Sequence, residues 1–176
     1  MSETTLSSSI CFEGRIVRLE LLEVELADGS RAPREIVRHD DAVCAAVLTR
    51  SGSVVLVRQY RKAVERALLE IPAGLINREE APDDAVRREL AEEIGMLEGT
   101  VEYQLACLAS PGFCDETMHL YLVTDAVLGP NQPDPGELLE VVELEPAEAL
   151  RRALAGELGD AKSALGVLLL ARKMGW

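Results

Sequence analysis

Apolar residues in this chain occur in short continuous runs that indicate a buried β-sheet. Residues 43–48 and 54–57 are two such runs, and the turn sequence Ser51-Gly52-Ser53 lies between them. Uninterrupted apolar runs of this length are typical of strands that are covered on both faces. We therefore expect these two strands near the centre of a sheet.

Further strands are predicted on either side of this pair. Residues 11–26 are β-leaning, Asp28-Gly29 has the composition of a hairpin turn, and residues 34–39 continue as a strand. Three more strand-like segments cover about 101–109, 118–124 and 139–144. The Ser/Thr-rich residues 1–10 are expected to be disordered.

The clearest helical pattern covers residues 82–94. Pro82 suits the first helical position, and Gly95 suits the position just after the last one. Apolar residues recur every four positions and form one stripe along the helix, at Val86, Leu90 and Ile94. The sequence therefore predicts an amphipathic helix that packs on the sheet.

The order of the elements predicts the fold class. Two further helices are expected over 146–155 and 161–173, and the Pro-rich residues 129–136 are expected to form a surface loop. Strands and helices mix without strict alternation, which favours an α/β protein with helices packed on a mixed sheet. The length of 176 residues suits one domain, which we expect over 11–176 with N-terminal strands at about 11–39.

Charge and composition exclude several classes of protein. The formal net charge is −13, so most of the surface repels phosphate backbones and anionic lipids, and we expect no nucleic-acid or membrane partner. No apolar run approaches the ~20 residues of a membrane span, and the N-terminus lacks the features of a signal peptide. None of the four cysteines forms a C-x-x-C pair. We expect a reduced, cytoplasmic protein without a zinc site.

Three glutamates near the end of the predicted helix share one face. Glu89, Glu92 and Glu93 lie three or four residues apart along a helix that turns every 3.6 residues. Like charges at this spacing repel by about 0.2–0.5 kcal/mol, and anions in the last turn also oppose the helix dipole. A bound Mg²⁺ or Mn²⁺ would relieve both penalties. The alternative is that these are ordinary glutamates on a solvated face.

These glutamates belong to a longer pattern of fixed spacing. Gly74 is followed after five residues by Glu80, and Glu80 is followed after seven residues by the run Arg88-Glu89-Leu90-x-Glu92-Glu93-x-Gly95-Met96. This segment, residues 74–96, resembles at every fixed position the sequence box of the Nudix hydrolase family, G-x5-E-x7-R-E-U-x-E-E-x-G-U with U apolar. The resemblance implies a Nudix-type α/β/α sandwich around a mixed β-sheet. It also implies metal-dependent hydrolysis of a nucleoside diphosphate linked to another group.

The resemblance assigns expected roles within the box. Family glutamates that match Glu89 and Glu93 bind metal, the one that matches Glu92 lies at the metal cluster, and the carbonyl that matches Ala73 is a further ligand. The expected cofactor is Mg²⁺, for which Mn²⁺ can substitute. Arg88 is expected to orient the acidic side chains through a salt bridge. Supporting structural roles are expected for Gly74, Glu80 and Gly95.

A second segment is similar to the ADP-ribose pyrophosphatase subfamily. Pro111 lies sixteen residues after Gly95, within the run Ser110-Pro111-Gly112-Phe113-Cys114-Asp115-Glu116, and this run is similar to the subfamily loop S-P-G-F-x-D-E. Residues 34–39, 57–61 and 70–76 are similar to other subfamily segments. The resemblance implies that Glu116, on a mobile loop, is the general base or orients the attacking water. The alternative is that metal activates the water and Glu92 takes its proton.

Substrate contacts are expected from two arginines and the same loop. Arg34 and Arg58 are candidates for the phosphates and the terminal ribose, because Arg binds phosphate with two parallel hydrogen bonds. The alternative for Arg58 is an ion pair with a core carboxylate such as Glu70. Gly112 and Phe113 are the loop candidates, with Phe113 as a platform for the base or as a residue that packs the loop.

The expected function is Mg²⁺-dependent hydrolysis of ADP-ribose to AMP and ribose 5-phosphate. One alternative is a pyrophosphatase for another nucleoside diphosphate sugar, such as GDP-mannose. A second alternative is a non-catalytic nucleotide sensor on the same fold. The resemblance further implies a homodimer, and a small-molecule nucleotide sugar is the expected ligand.

Overall fold

Backbone contacts divide the chain into two units. The structure is a computed structural model that describes residues 2–132 and 138–176. Unit 1 comprises Met1–Asp41 and Cys107–Met118, and unit 2 comprises Ala42–Ala106 and His119–Trp176. The sequence predicted one domain over 11–176, and that prediction stays untested. The two units are described in turn.

Unit 1 contains a three-stranded antiparallel sheet in the order β1 (Thr4–Glu13), β2 (Val17–Glu25) and β3 (Arg31–His39). The structure differs from the predicted disorder of residues 1–10, because β1 pairs with β2 from Thr4 onward, which satisfies the backbone groups on the side that faces β2. The predicted strand over 11–26 is the end of β1, a turn and β2.

The turn between β2 and β3 is the predicted hairpin turn at Asp28-Gly29. Gly29 has φ of 82°, a left-handed conformation that glycine adopts without steric cost. The Asp28 side chain accepts a hydrogen bond from the backbone N–H of Ser30 at 2.9 Å. Local residue chemistry therefore fixes this turn, as the sequence predicted.

Unit 2 is built on a seven-stranded mixed sheet. The order is β10-β5-β4-β9-β8, with β6 paired to β5 and β7 paired to β4. The chain leaves unit 2 within β8 and returns within β9. The strands are β4 (Ala42–Thr49), β5 (Val54–Arg61), β6 (Arg66–Glu70), β7 (Ala73–Leu75), β8 (Met96–Leu108), β9 (Thr117–Leu128) and β10 (Leu139–Leu144).

The described part of unit 2 also contains a 3-10 turn at Lys62–Val64 and three α-helices: α1 (Pro82–Ile94), α2 (Pro146–Leu154) and α3 (Ala161–Met174). Helix α1 begins and ends where the sequence predicted. Gly95 follows it with φ of 66°, and a Cβ there would lie 2.3 Å from the carbonyl oxygen of Gly129. Only glycine therefore fits, both for its conformation and for the close approach of another backbone. None of the helices in the described residues is long and apolar enough to span a membrane.

Strand β4 is buried at all eight positions because helices cover both of its faces. Val43, Ala45 and Val47 pack in one cluster with the apolar stripe of α1. On the other face, a Cβ built on Gly166 of α3 would lie 3.3 Å from the Cβ of Ala46. The α/β/α sandwich around a mixed sheet is therefore confirmed.

Besides β1, the sequence did not predict two short strands. Strands β6 and β7 lie on either side of Pro72. Proline has no backbone N–H to donate, so its presence argues against a strand in the sequence. Strand β8 begins at Met96, five residues earlier than predicted, because Glu98, Gly99 and Thr100 have low β propensity or are polar. The loop predicted over 129–136 lies partly outside the described residues.

Candidate active site

Arg88 organises the acidic residues of α1. Its Nε and Nη2 atoms donate to the two carboxylate oxygens of Glu80, each at 2.9 Å. Its Nη1 atom donates to Glu89 at 2.7 Å and to Glu92 at 3.1 Å. Nη2 also donates to the backbone carbonyl of Leu75 at 2.9 Å. One guanidinium therefore holds three carboxylates and a strand carbonyl in fixed positions.

These contacts set the charge of the cluster. Hydrogen bonds from Arg88 and from the backbone N–H of Asn77 lower the pKa of Glu80 to about 2. In return, Glu80 and then Glu89 raise the pKa of Arg88 above its usual range. Glu80 is therefore ionised throughout the physiological pH range, and Arg88 stays positively charged beside it.

Glu93 lies on the buried side of the helix end. Its side chain is 3% exposed, and its Oε2 atom accepts a hydrogen bond from the backbone N–H of Ala73 at 3.0 Å. The Asn131 side chain donates to the backbone carbonyl of Glu93 at 3.0 Å. Strand β7 and helix α1 are therefore joined directly through a carboxylate that the sequence predicted to bind metal.

Gly74 leaves room for the carboxylate of Glu89. A Cβ built on Gly74 would lie 2.0 Å from the carboxyl carbon of Glu89, and both carboxylate oxygens would be almost as close. Glycine at the start of the box therefore creates the space in which this side chain sits. The structure thus brings together Ala73, Gly74, Glu89 and Glu93, which the sequence predicted to share a site.

The donor set of this site fits a hard divalent cation. All the expected ligand atoms are oxygens, and the cradle at Gly74 accommodates the Glu89 carboxylate. Across residues 2–132 and 138–176, no three acidic, cysteine or histidine side chains already converge as a preformed metal site. Glu89 and Glu92 are instead turned toward Arg88, so a cation would be held after these carboxylates reorient.

The loop that carries Glu116 belongs to unit 1, where β3 anchors it. The Val37 N–H donates to the Phe113 carbonyl at 2.7 Å, and the Asp115 N–H donates to the Val37 carbonyl at 3.3 Å. The Asp115 side chain accepts from the backbone N–H of His39 at 3.0 Å. The loop was predicted to be mobile, yet these bonds tie it to the neighbouring strand. The Oε1 atom of Glu116 lies 3.9 Å from Nδ1 of His39.

The predicted substrate arginines are each paired with a surface carboxylate. In unit 1, Nε of Arg34 donates to Glu3 at 3.0 Å. In unit 2, Nη1 of Arg58 donates to Glu140 on the neighbouring strand at 3.1 Å. The alternative pairing of Arg58 with Glu70 is wrong. Glu70 lies opposite Val57 in the register of β5 with β6, so the side chains of Arg58 and Glu70 point to opposite faces of the sheet. Phe113 is 56% exposed, and a Cβ on Gly112 would meet no atom within 4 Å.

Glu70 was named from the sequence as a core carboxylate, but the two cations that bind it in unit 2 were not predicted. Glu70 is 2% exposed and accepts hydrogen bonds from Arg61, at 2.8 and 3.0 Å, and from Lys162 of α3. Burial alone would raise the pKa of Glu70, but these two cations lower it overall. A signal was present, since Glu70 is an acidic residue within the otherwise apolar run Ala67–Ile71.

Two features now characterise the domain: an acidic helix whose carboxylates are held by one arginine, and a mixed sheet that is covered by helices. This combination can be compared with known families. Residues 38–165 match the family model described as NUDIX domain. The match covers most of the chain and contains the whole box. The chain therefore belongs to the Nudix hydrolase family.

Individual relatives extend the similarity beyond the matched region. The chain is 36% identical over 170 residues to the methanol dehydrogenase activator of Bacillus methanolicus, covering 96% of this chain and 92% of that protein. It is 35% identical over 175 residues to the ADP-ribose pyrophosphatase of Bacillus subtilis, covering 98% and 95%. A GDP-mannose pyrophosphatase of Klebsiella pneumoniae is 32% identical over 164 residues, covering 85% and 81%.

A solved structure supports the fold independently. The crystal structure of an ADP compounds hydrolase superposes with a TM-score of 0.87, covering 99% of this chain and 95% of that one. The sequence identity is 21%, so this similarity concerns the fold.

Proposed function

We propose that this protein hydrolyses the diphosphate bond of ADP-ribose and releases AMP and ribose 5-phosphate in a Mg²⁺-dependent reaction. The observation that carries the proposal is the set of hydrogen bonds from Arg88 to Glu80, Glu89 and Glu92. These bonds hold carboxylate oxygens together on one side of α1. Family membership and the similarity to an ADP-ribose pyrophosphatase over nearly the full chain support it.

The proposed cation ligands are Glu89, Glu92, Glu93 and the carbonyl of Ala73. Mg²⁺ is the proposed cofactor, and Mn²⁺ can take its place. When bound, the cation supplies positive charge against phosphoryl oxygens and makes a water molecule more acidic. Arg88, itself fixed by Glu80, would orient Glu89 and Glu92 through its hydrogen bonds. The absence of a side chain at Gly74 leaves the space that the Glu89 carboxylate needs.

Glu116 is the proposed base. It takes a proton from the attacking water while the water oxygen bonds to one phosphorus and the bridging P–O bond breaks. The leaving phosphate group keeps the bond's electron pair. Glu92 is the alternative group for the same proton.

Four residues are proposed to bind the substrate. Arg34 and Arg58 would exchange their present carboxylate partners for phosphate or ribose oxygens. Gly112 and Phe113 would present an open backbone and an exposed ring to the substrate. A cytoplasmic homodimer that binds no nucleic acid or membrane completes the proposal.

The proposal is tested by AMP release from ADP-ribose with and without Mg²⁺. We expect metal-dependent release by the wild-type protein, and a loss of about 10²-fold or more in the Glu93→Gln variant. Glu98→Gln is the matched control, because Glu98 is exposed and forms an ion pair with the equally exposed Arg50. No AMP release by the wild-type protein would refute the assignment of ADP-ribose.

A second candidate substrate is GDP-mannose, which the similarity to a GDP-mannose pyrophosphatase favours. A parallel assay of both nucleotide sugars at equal concentration decides between them through the ratio of kcat/KM. Binding of either compound without turnover would favour a nucleotide sensor.

A further inference from the structure

His39 lies against the proposed base, and both side chains belong to unit 1. Nδ1 of His39 is 3.9 Å from Oε1 of Glu116. The two side chains are 16% and 20% exposed, so solvent screens their interaction only in part. Nothing in the box motif or in the loop pattern assigns a role to this histidine.

The hydrogen bond of the ring determines where its proton lies. Nδ1 of His39 is 2.6 Å from the backbone carbonyl oxygen of Asp40. A carbonyl oxygen only accepts hydrogen bonds, so Nδ1 carries the proton and Nε2 has the free lone pair when the ring is neutral. The Nδ1–H group therefore points to the Asp40 carbonyl, and this bond fixes the ring beside the carboxylate of Glu116.

The backbone on both sides of this contact is also fixed. Asp115 accepts hydrogen bonds from the His39 N–H at 3.0 Å and from Nη1 of Arg38 at 3.1 Å. The carbonyl of Glu116 accepts from the N–H of Ala109 at 3.1 Å. Hydrogen bonds therefore fix the backbone of the loop on both sides of Glu116. The conformation of the Glu116 side chain is not fixed by these bonds.

We propose that His39 is a positioning residue for Glu116: its ring, held by the Asp40 carbonyl through Nδ1–H and packed with Nδ1 3.9 Å from the carboxylate, fixes the conformation in which Glu116 acts. This inference rests on the proposed role of Glu116 as the base. His39 itself touches neither substrate nor water in this proposal, so removing it changes the rate only through Glu116.

A double-mutant cycle tests this dependence. His39→Ala lowers kcat about tenfold and leaves KM within about twofold, because a misplaced catalytic group slows the step without weakening substrate binding. In a Glu116→Gln background, His39→Ala causes no further loss, since both changes remove the same function. If the two losses multiply, the proposal is overturned.

Two further variants separate positioning from general structural damage. His39→Asn keeps an N–H donor close to the place of Nδ1, and we expect it to recover most of the lost kcat. A rate as low as that of His39→Ala would contradict the proposal. The chain has only two histidines, so His119→Ala in unit 2 is the matched control and should keep its kcat.

A spectroscopic measurement tests the contact without relying on activity. In ¹⁵N-labelled protein at pH 8, we expect one histidine with protonated Nδ1, and Glu116→Gln should shift its imidazole signals while those of His119 stay in place. If the wild-type protein fails to cleave ADP-ribose, the proposed function is refuted and this spectrum alone decides the contact. Unshifted His39 signals would overturn the inference in either case.

Discussion

The guanidinium of Arg88 and the carboxylate of Glu80 form two parallel hydrogen bonds of 2.9 Å each. Glu80 lies in the turn before α1, eight residues earlier than Arg88. With the guanidinium fixed on Glu80, its remaining N–H groups reach Glu89, Glu92 and the Leu75 carbonyl. The spacing of Glu80 and Arg88 in the box therefore orients a planar arginine, which then orients the proposed ligands.

Arg88→Lys should impair catalysis although it keeps the positive charge. An ammonium group has no planar fork, so it cannot hold Glu80 with two bonds and also reach Glu89 and Glu92. We expect kcat/KM for ADP-ribose with Mg²⁺ to fall about 10–100-fold, as for other partners that orient metal ligands. Steady-state kinetics measure this effect.

Arg87→Lys is the matched control for this substitution. Arg87 is exposed on the same helix, so its replacement should leave kcat/KM within about twofold. If Arg88→Lys behaves like Arg87→Lys, the charge of Arg88 is sufficient and its geometry is not used.

The Glu80 carboxylate should make the fold sensitive to acid. Its pKa falls from the ordinary 4.5 to about 2 in the folded protein, so its ionisation stabilises the fold fully above about pH 4.5. This stabilisation is lost as the pH falls from about 4.5 to about 2. We expect urea midpoints measured over this range to decline less steeply in Glu80→Gln than in the wild-type protein. Glu79→Gln, at the exposed neighbouring position, should follow the wild-type slope.

The acidic site was predictable because its information is local. Glu89, Glu92 and Glu93 share a helix face by periodicity alone, and the Gly and Pro residues at the ends of α1 fix its length. The partner of Arg58 was not predictable, because Glu140 reaches it only through the pairing of β10 with β5. Contacts that depend on strand register carry no signal in sequence spacing.

The same distinction applies to the fold. Strand β4 and the first half of β5, Val54–Val57, were predicted because both of their faces are buried, which makes their sequence almost continuously apolar. Strand β1 is exposed along its whole length and rich in serine, so its composition resembles a disordered segment. Its order comes from the backbone ladder with β2, and a ladder leaves little trace in side-chain type.

Gly74→Ala should damage the site more than the fold. The added Cβ would lie 2.0 Å from the carboxyl carbon of Glu89, and this flexible side chain is what must move. We expect kcat to fall about 10²-fold and the apparent affinity for Mg²⁺ to weaken, with a loss of stability below about 1 kcal/mol. Kinetics at several Mg²⁺ concentrations and a denaturant titration test both parts.

Gly52→Ala should give the opposite pattern. Gly52 has φ of 96° in the turn between β4 and β5, and a Cβ there would meet no atom within 4 Å. The substitution strains the backbone and lowers stability, while kcat stays near the wild-type value. If Gly74→Ala instead loses stability and keeps its rate, the close approach to Glu89 has no functional role.

The buried group of Glu70, Arg61 and Lys162 should be a sensitive point for stability. Lys162→Met removes one of the two cations from a carboxylate that is 2% exposed and leaves its charge incompletely compensated. Removing one partner of a buried ion pair typically costs about 3–5 kcal/mol. Because Arg61 still compensates part of the charge of Glu70, we expect a loss of about 3 kcal/mol in the free energy of unfolding. Denaturant unfolding measures this loss.

The double variant Glu70→Gln/Lys162→Met identifies the cause. It removes the charge that Lys162 compensates, so we expect it to be more stable than Lys162→Met alone, with a coupling free energy of at least about 1 kcal/mol. Lys62→Met is the surface control, because Lys62 and Glu65 form an exposed pair, and its effect should stay within about 0.5 kcal/mol. Additive losses in the double variant would mean that Lys162 acts through its ion pair with Asp160 or through packing of its aliphatic stem, and not through the buried charge of Glu70.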